Sequence, residues 1–192
     1  MAQVLDLIGW LACIVYATIP PFWLTIHPFA NCWRSRRSPY RVLLPVWVAM
    51  WIIVGLITAS WRGVALYSNP LAWVPAIFLF GAGLWLYSQS GKHFSAKQLG
   101  GFPEVTPSIH QQRLITTGIH SRVRHPVYLA HLCEMLAWNV GTGLAVCYAL
   151  TVLTIISGAF MIRLEDEELE QRFGEDFRRY KNSVPAFLPK LS

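Results

Sequence analysis

Residues 127–162 read VYLAHLCEMLAWNVGTGLAVCYALTVLTIISGAFMI, an almost unbroken apolar run whose one acidic residue is Glu134. It is too long for one membrane-crossing helix, which needs about 20 mostly apolar residues. Asn139-Val140-Gly141-Thr142-Gly143 interrupts it near the middle, so the pattern predicts a helical hairpin. Outward from the hairpin, Leu5–Ile26, Leu43–Ala59 and Leu71–Tyr87 are three more apolar stretches of nearly spanning length. The chain therefore reads as an all-α integral membrane protein with five transmembrane helices, the last two forming the hairpin. Pro20-Pro21 predict a kink in the first helix, because each ring removes a backbone donor. No positive charge precedes Leu5, so that stretch reads as a retained span and not as a secretory signal.

Composition agrees with this reading. Of 192 residues, 54% are hydrophobic and 14% charged, where an ordinary soluble domain carries about 25% charged residues. Disorder is excluded by the apolar content. Cys13, Cys32, Cys133 and Cys147 are scattered and form no CxxC pair, which excludes a disulfide-stapled scaffold. One membrane domain, residues 1–192, is expected. Its parts are three spans in 1–88, a structured loop in 89–125, the hairpin in 126–162 and a tail helix in 163–192.

The net charge of +6 is organised by this layout. Of the 16 Lys and Arg residues, Arg62 alone falls on one side of the five-span arrangement. The rest follow the first, third and fifth spans. The positive-inside rule then places the N-terminus outside and the C-terminal tail in the cytoplasm of a multi-pass cell-membrane protein. Topology thus explains the basic excess without nucleic acid, which is not an expected partner. The cluster Arg34, Arg36, Arg37 and Arg41 keeps a second reading, contact with anionic lipid headgroups.

Two segments are too polar and long to be simple connectors. Gln89–Arg124, punctuated by Gly100-Gly101, Pro103 and Pro107, is expected to be a structured loop, and long loops in compact domains are usually functional. Arg163–Ser192 places Leu169, Phe173, Phe177, Tyr180 and Val184 at spacings of three and four. This predicts an amphipathic helix opening at Arg163, supported by the pairs Glu168 with Arg172 and Glu175 with Arg179, and ended by Pro185 and Pro189. The acids between Glu165 and Glu170 then sit near a helix start, mostly as a solvated face.

The approach to the hairpin reads Leu114-Ile115-Thr116-Thr117-Gly118-Ile119-His120-Ser121-Arg122-Val123-Arg124-His125-Pro126-Val127-Tyr128, and its exit runs through Arg163-Leu164-Glu165-Asp166 to Phe173-Gly174. Gly118, the Arg124-His125-Pro126-x-Tyr128 element, Glu165-Asp166, Leu169, Phe173-Gly174, Tyr180, Val184 and Pro189 together resemble the isoprenylcysteine carboxyl methyltransferase and phospholipid methyltransferase families of integral membrane enzymes. The resemblance covers roughly the C-terminal half. His120 and Phe177 stand where those families usually carry tyrosine, Ala130 where they carry glycine, and Asp166 where they carry a second glutamate.

The resemblance implies S-adenosylmethionine as cofactor, held by residues 114–192. The implied binding residues are Gly118, His120, Arg124, His125, Tyr128, Glu165 and Asp166. An acid is needed for the cofactor's cations, donors for its carboxylate, and an apolar slot for the purine. Glu165 suits the first, Arg124 or His125 the second and Tyr128 the third. Pro126 suits a first helical turn, and the neighbouring N–H groups favour an anion. No glycine-rich dinucleotide motif is present. Taken singly, Arg124 is equally an interface anchor, Tyr128 a belt aromatic and His125 a packing residue. Their joint spacing favours function.

Glu134 is the unusual residue, an ionisable group within a span and so a functional candidate. His131, one turn earlier, can pair with it. The alternative is a protonated structural carboxyl. A lipophilic small molecule or lipid-modified group, drawn from the bilayer, is the implied acceptor. A carboxylate acceptor such as a prenylcysteine-like group needs no base, only an arginine to position it, with Arg163 or Arg124 as candidates. An amine acceptor needs a base, and Glu134 is the candidate. A third reading is a non-catalytic membrane protein that binds a lipid or partner. The six histidines contain no HxxxH or HxxHH pair, so no metal is expected.

Overall fold

The structure is a computed structural model that describes residues 2–92 and 113–187. Among these the regular structure is helical, joined by turns and irregular connections, apart from one bridged pair, Ala65 and Leu144. The helices are α1 (Ala2–Ile26), α2 (Ala30–Arg34), α3 (Tyr40–Thr58), α4 (Trp73–Gly91), α5 (Pro126–Thr142), α6 (Ala145–Phe173) and α7 (Glu175–Ser183). Short 3-10 turns at His27–Phe29, Pro70–Ala72 and Gly118–Ser121 lead into α2, into α4 and toward α5. Of the sequence-predicted loop 89–125, residues 93–112 lie outside the described residues, with the Gly100-Gly101, Pro103 and Pro107 punctuation; so does Pro189.

Four stretches are long and apolar enough to cross a membrane: Ala2–Phe29, Tyr40–Thr58, Pro70–Gly91 and Ala145–Phe173. Two helix lengths matter most. With 17 residues, α5 extends about 26 Å, slightly less than a hydrocarbon core of about 30 Å. With 29 residues, α6 extends about 44 Å and must project from that core by more than a helical turn. The projecting end is the polar one, Arg163–Phe173.

α1 is central. Its Trp10, Cys13, Ile14 and Ala17 share one core with Met135 of α5 and with Val146, Cys147 and Leu150 of α6. Among the described residues α3 packs chiefly on α1, through the stacked rings of Phe22 and Trp47 (5.0 Å) and two indole hydrogen bonds. Trp10 Nε1 donates to Thr58 Oγ1 (2.9 Å) and Trp47 Nε1 to Thr18 Oγ1 (3.1 Å). The outer face of α3, with Ile52, Ile53, Leu56 and Ile57, is left exposed, as suits a helix bathed in lipid. α4 lies along α5 in close contact. A Cβ added at Gly141 would come within 2.7 Å of the Trp73 ring, and one at Gly83 within 2.6 Å of Glu134 Oε1. Small residues permit this approach in the absence of a hydrophobic drive between helices.

The hairpin turn is tighter than the sequence suggested. α5 runs through Asn139–Thr142, leaving only Gly143 and Leu144 outside a helix. The polar interruption is tolerated because the Asn139 amide and Thr151 hydroxyl hydrogen-bond across the hairpin at 2.9 Å. Gly143 ends α5 in the left-handed region (φ 67°), with its N–H on the Asn139 carbonyl at 2.9 Å. The segment before α4 clasps this turn: Leu66 N donates to Gly143 O (2.8 Å) and Ala145 N to Val64 O (2.9 Å).

α1 is continuous in helix across Pro20 and Pro21 and ends at Ile26, before the 3-10 turn His27–Phe29, where the Trp33 indole donates to the Thr25 carbonyl of the last turn (2.7 Å). Two other expectations need correction. No helix opens at Arg163. α6 continues to Phe173, so Glu165–Glu170 lie inside a helix, and the tail helix α7 begins only after Gly174 (φ 56°). The predicted stripe still converges, as Phe177, Tyr180 and Val184 pack with Leu114, Leu169 and Phe173. Finally, Glu168 does pair with Arg172, but Arg179 pairs with Asp176 (2.8 Å) and not with Glu175.

Replacing Gly143 by alanine tests the turn. The left-handed conformation costs an ordinary residue about 1–2 kcal/mol, and the new Cβ would collide with the Tyr67 carbonyl oxygen. Gly143→Ala should lower the thermal unfolding midpoint in detergent, whereas Gly63→Ala, with nothing near its Cβ, should not.

Candidate functional site

The site forms where the projecting end of α6 meets the start of α5. Pro126 occupies the first turn of α5 and His125 its N-cap position, with no side-chain cap hydrogen bond. The chain before and the chain after the bundle are zipped together here. Arg124 N donates to Pro185 O (2.9 Å), His125 N to Ala186 O (3.1 Å) and Arg124 Nε to Val184 O (3.0 Å). Tyr180 OH donates to the His120 carbonyl at 2.7 Å. Burial pushes the Tyr180 phenol up to about 12, so at neutral pH it remains a donor.

Asp166 is the hub. Its buried carboxylate accepts from Arg124 Nη1 (2.6 Å) through Oδ1, which also lies 3.3 Å from His125 Nε2; Lys181 Nζ is 3.6 Å from Oδ2. Three elements, the start of α5, α6 and α7, are thereby joined at one carboxylate. Glu165, one position earlier, is used differently. Its Oε2 is buried, has no hydrogen-bond partner among the described residues, and lies 3.6 Å from His125 Nδ1. His125 thus stands between the two acids, its Nε2 toward Asp166 and its Nδ1 toward Glu165. The Glu165 oxygen, an acceptor with no hydrogen-bond partner among the described residues, fits a ligand carrying a hydroxyl or an ammonium.

From His125 a column of side chains winds around α5 at three-residue steps, over about 13 Å. The Tyr128 ring stacks on His125 (5.7 Å) and lies 6.1 Å from His131. His131 contacts Tyr16 of α1 (5.3 Å) and Tyr87 of α4 (5.5 Å). Glu134 closes the column against Gly83, buried, its Oε1 without a hydrogen-bond partner among the described residues.

The structure thus brings Arg124, His125, Tyr128, Glu165 and Asp166 together, with His120 and Gly118 (φ 62°) on the adjoining 3-10 turn. It does not bring in Arg163, which is exposed on α6, nor does it put Glu134 beside Glu165. Sequence reading missed Lys181, the ring of Phe187 6.3 Å from His125, and the Tyr16–His131–Tyr87 contact. The tyrosines lie on three-dimensionally adjacent but separate helices, and no spacing links them. Lys181 had a signal: it lies one residue past Tyr180, on the face turned toward α6.

A profile of the phospholipid methyltransferase family matches residues 71–176, more than half the chain, and the chain belongs to that family. It is similar to protein-S-isoprenylcysteine O-methyltransferase of Xenopus laevis, 37% identical over 81 residues, 40% of this chain and 27% of that protein. It is similar to the cobalt-zinc-cadmium resistance protein CzcN of Cupriavidus metallidurans, 38% identical over 80 residues, 41% of this chain and 37% of that protein. Methanethiol S-methyltransferase 1 of Bradyrhizobium diazoefficiens is 30% identical over 139 residues, 72% of this chain and 42% of that protein. The chain thus spans less than half the length of these relatives. No solved structure matches it.

The two neighbouring acids should separate in their effects on stability. Asp166→Asn removes one partner of a buried ion pair and should cost about 3–5 kcal/mol. Glu165→Gln breaks no hydrogen bond and should stay within about 0.5 kcal/mol of wild type. Chemical unfolding in detergent, followed by tryptophan fluorescence, measures both.

Proposed function

We propose that the protein is a membrane methyltransferase that takes its methyl group from S-adenosylmethionine and delivers it to a lipophilic acceptor reached from the bilayer. The observation that carries this reading is the buried, unpartnered Glu165 oxygen facing His125, inside the segment matched by the family profile. Glu165 would accept from the cofactor's ammonium or ribose hydroxyls. The uncapped N–H groups at the start of α5 would receive its carboxylate. Tyr128 would line the apolar side. When bound, the cofactor supplies a methyl group on a sulfonium, open to in-line displacement. Asp166 and Arg124 hold these groups in register, and the surrounding helices exclude water. Five spans, with the site on the cytoplasmic side, suit the Lys and Arg distribution.

The geometry favours one class of acceptor. A carboxylate, such as a prenylcysteine-like group, would need an arginine to position it. Arg124 is committed to Asp166 and the Val184 carbonyl, and Arg163 is exposed. Glu134 instead offers an oxygen without a hydrogen-bond partner among the described residues at the inner end of the column. This supports an acceptor that arrives protonated, an amine or a thiol. Its N–H or S–H bond breaks, the electron pair stays on the heteroatom, and the proton passes to the Glu134 carboxylate. The named thiol acceptor of the Bradyrhizobium relative is compatible with this choice. The carboxylate reading remains the alternative outcome.

Turnover of Glu134→Gln with methyl-labelled cofactor and membrane-lipid extract separates the two. Loss of a general base should slow transfer by about 10²–10⁴-fold, with cofactor affinity unchanged. Near wild-type turnover would remove Glu134 from catalysis and restore the carboxylate acceptor. No transfer by folded wild-type protein to any lipid, amine or thiol would leave a non-catalytic lipid-binding protein.

A further inference from the structure

A second polar cluster lies on the opposite face of the α6 projection, outside the methyl-transfer site. Glu168 is its centre. His27 Nδ1 lies 2.6 Å from Glu168 Oε2, while Arg34 Nη2 (3.3 Å) and Arg172 share Glu168 Oε1. Arg34 Nη1 also donates to Asn31 Oδ1 at 3.2 Å. The elbow between α1 and α2 is thereby tied to α6, and beside the tie opens a cleft of about 270 Å³. His27, Asn31, Arg34, Glu167, Glu168 and Gln171 supply its polar lining, with Pro28 and Leu164 as apolar patches.

Depth and charge say what such a cleft would hold. One wall follows directly on the apolar α1, and the other begins where α6 leaves its apolar stretch, so the cleft sits at the level where hydrocarbon gives way to headgroups. Arg34, Arg36, Arg37 and Arg41 crowd the connection to α3, and no acid occurs in the sequence between Asp6 and Glu104. Among the described residues, the acids facing the cleft are Glu167, exposed on the rim, and Glu168, already shared by two guanidinium groups. Apolar surface lies alongside: Phe29 is 56% exposed in the turn that forms the elbow. Basic residues beside an apolar contact at a bilayer boundary match a phosphate headgroup with its acyl chains.

We infer that the cleft between the α1–α2 elbow and α6 binds the headgroup of an anionic phospholipid, with Arg34, Asn31 and Gln171 around the headgroup and Phe29 against the acyl chains. The inference does not depend on methyl transfer. Because Glu168 and Asp166 lie on the same rigid turn, an occupied cleft would steady the end of α6 that carries Glu165.

The test is native mass spectrometry of the whole protein in detergent, titrated separately with phosphatidylglycerol and phosphatidylcholine. Wild type should retain one phosphatidylglycerol in preference to phosphatidylcholine. Arg34→Gln should weaken that binding about tenfold or more, the effect of losing a charge-assisted hydrogen bond. Gln171→Phe, which fills the cleft without altering charge, should do the same, and Arg37→Gln, in the same loop but outside the lining, should not. Equal losses in Arg34→Gln and Arg37→Gln would mean diffuse attraction to the basic loop and overturn the site. Full retention by folded Gln171→Phe, or equal binding of the two lipids by wild type, would overturn it as well.

Discussion

The buried carboxylate of Asp166 gathers Arg124, His125 and Lys181 from three different elements, and an ionised group so far from water is costly without such cations. The rest of the polar half of the molecule follows from this. α6 is too long for a bilayer and would otherwise project unsupported. The ion pair to Arg124 fixes the projection against the start of α5, and the hydrogen bonds from Arg124 and His125 to Val184, Pro185 and Ala186 then bring the tail back over both. Such a pair contributes modestly to net stability because desolvation opposes the attraction. Its value here is positional: it sets which face of α6 meets α5, and so it aims Glu165 at His125.

The projection of α6 accordingly has two working faces. One turns Glu165 and Asp166 toward α5 and α7. The other turns Glu168 toward His27 and Arg34. Acids in adjacent positions thus serve different ends: Asp166 and Glu168 are consumed in holding helices together, while Glu165 is left with an unmet oxygen. In α5 the three-residue step from His125 to Glu134 makes a polar and aromatic column inside an otherwise apolar bundle. A column of this kind is costly to bury, which makes its ionisable members functional candidates.

The hairpin, the three apolar helices before it, and Arg124, His125, Tyr128, Glu165 and Asp166 as neighbours were legible in the sequence, because hydrophobic run length and the Arg124-His125-Pro126-x-Tyr128 and Glu165-Asp166 spacings are local signals. What was not legible depended on pairing across helices. The acids of 165–170 looked like the solvated start of a new helix, since nothing in the sequence shows that His27 and Arg34, more than a hundred residues earlier, neutralise Glu168. Asn139 to Gly143 suggested a wide interruption, but a side-chain partner at Thr151 let the helix continue almost to the turn. In each case a tertiary hydrogen bond or ion pair overrode a sound local expectation.

Everything functional rests on Glu165 being a vacant acceptor for a cationic or hydroxylated ligand. Isothermal titration of detergent-purified protein with S-adenosylhomocysteine addresses this directly. The wild type should bind, and Glu165→Gln, still folded, should bind about tenfold to a hundredfold more weakly, the effect of one lost hydrogen bond to a charged group. Binding that is unchanged in Glu165→Gln, or absent in the folded wild type, would contradict the assignment.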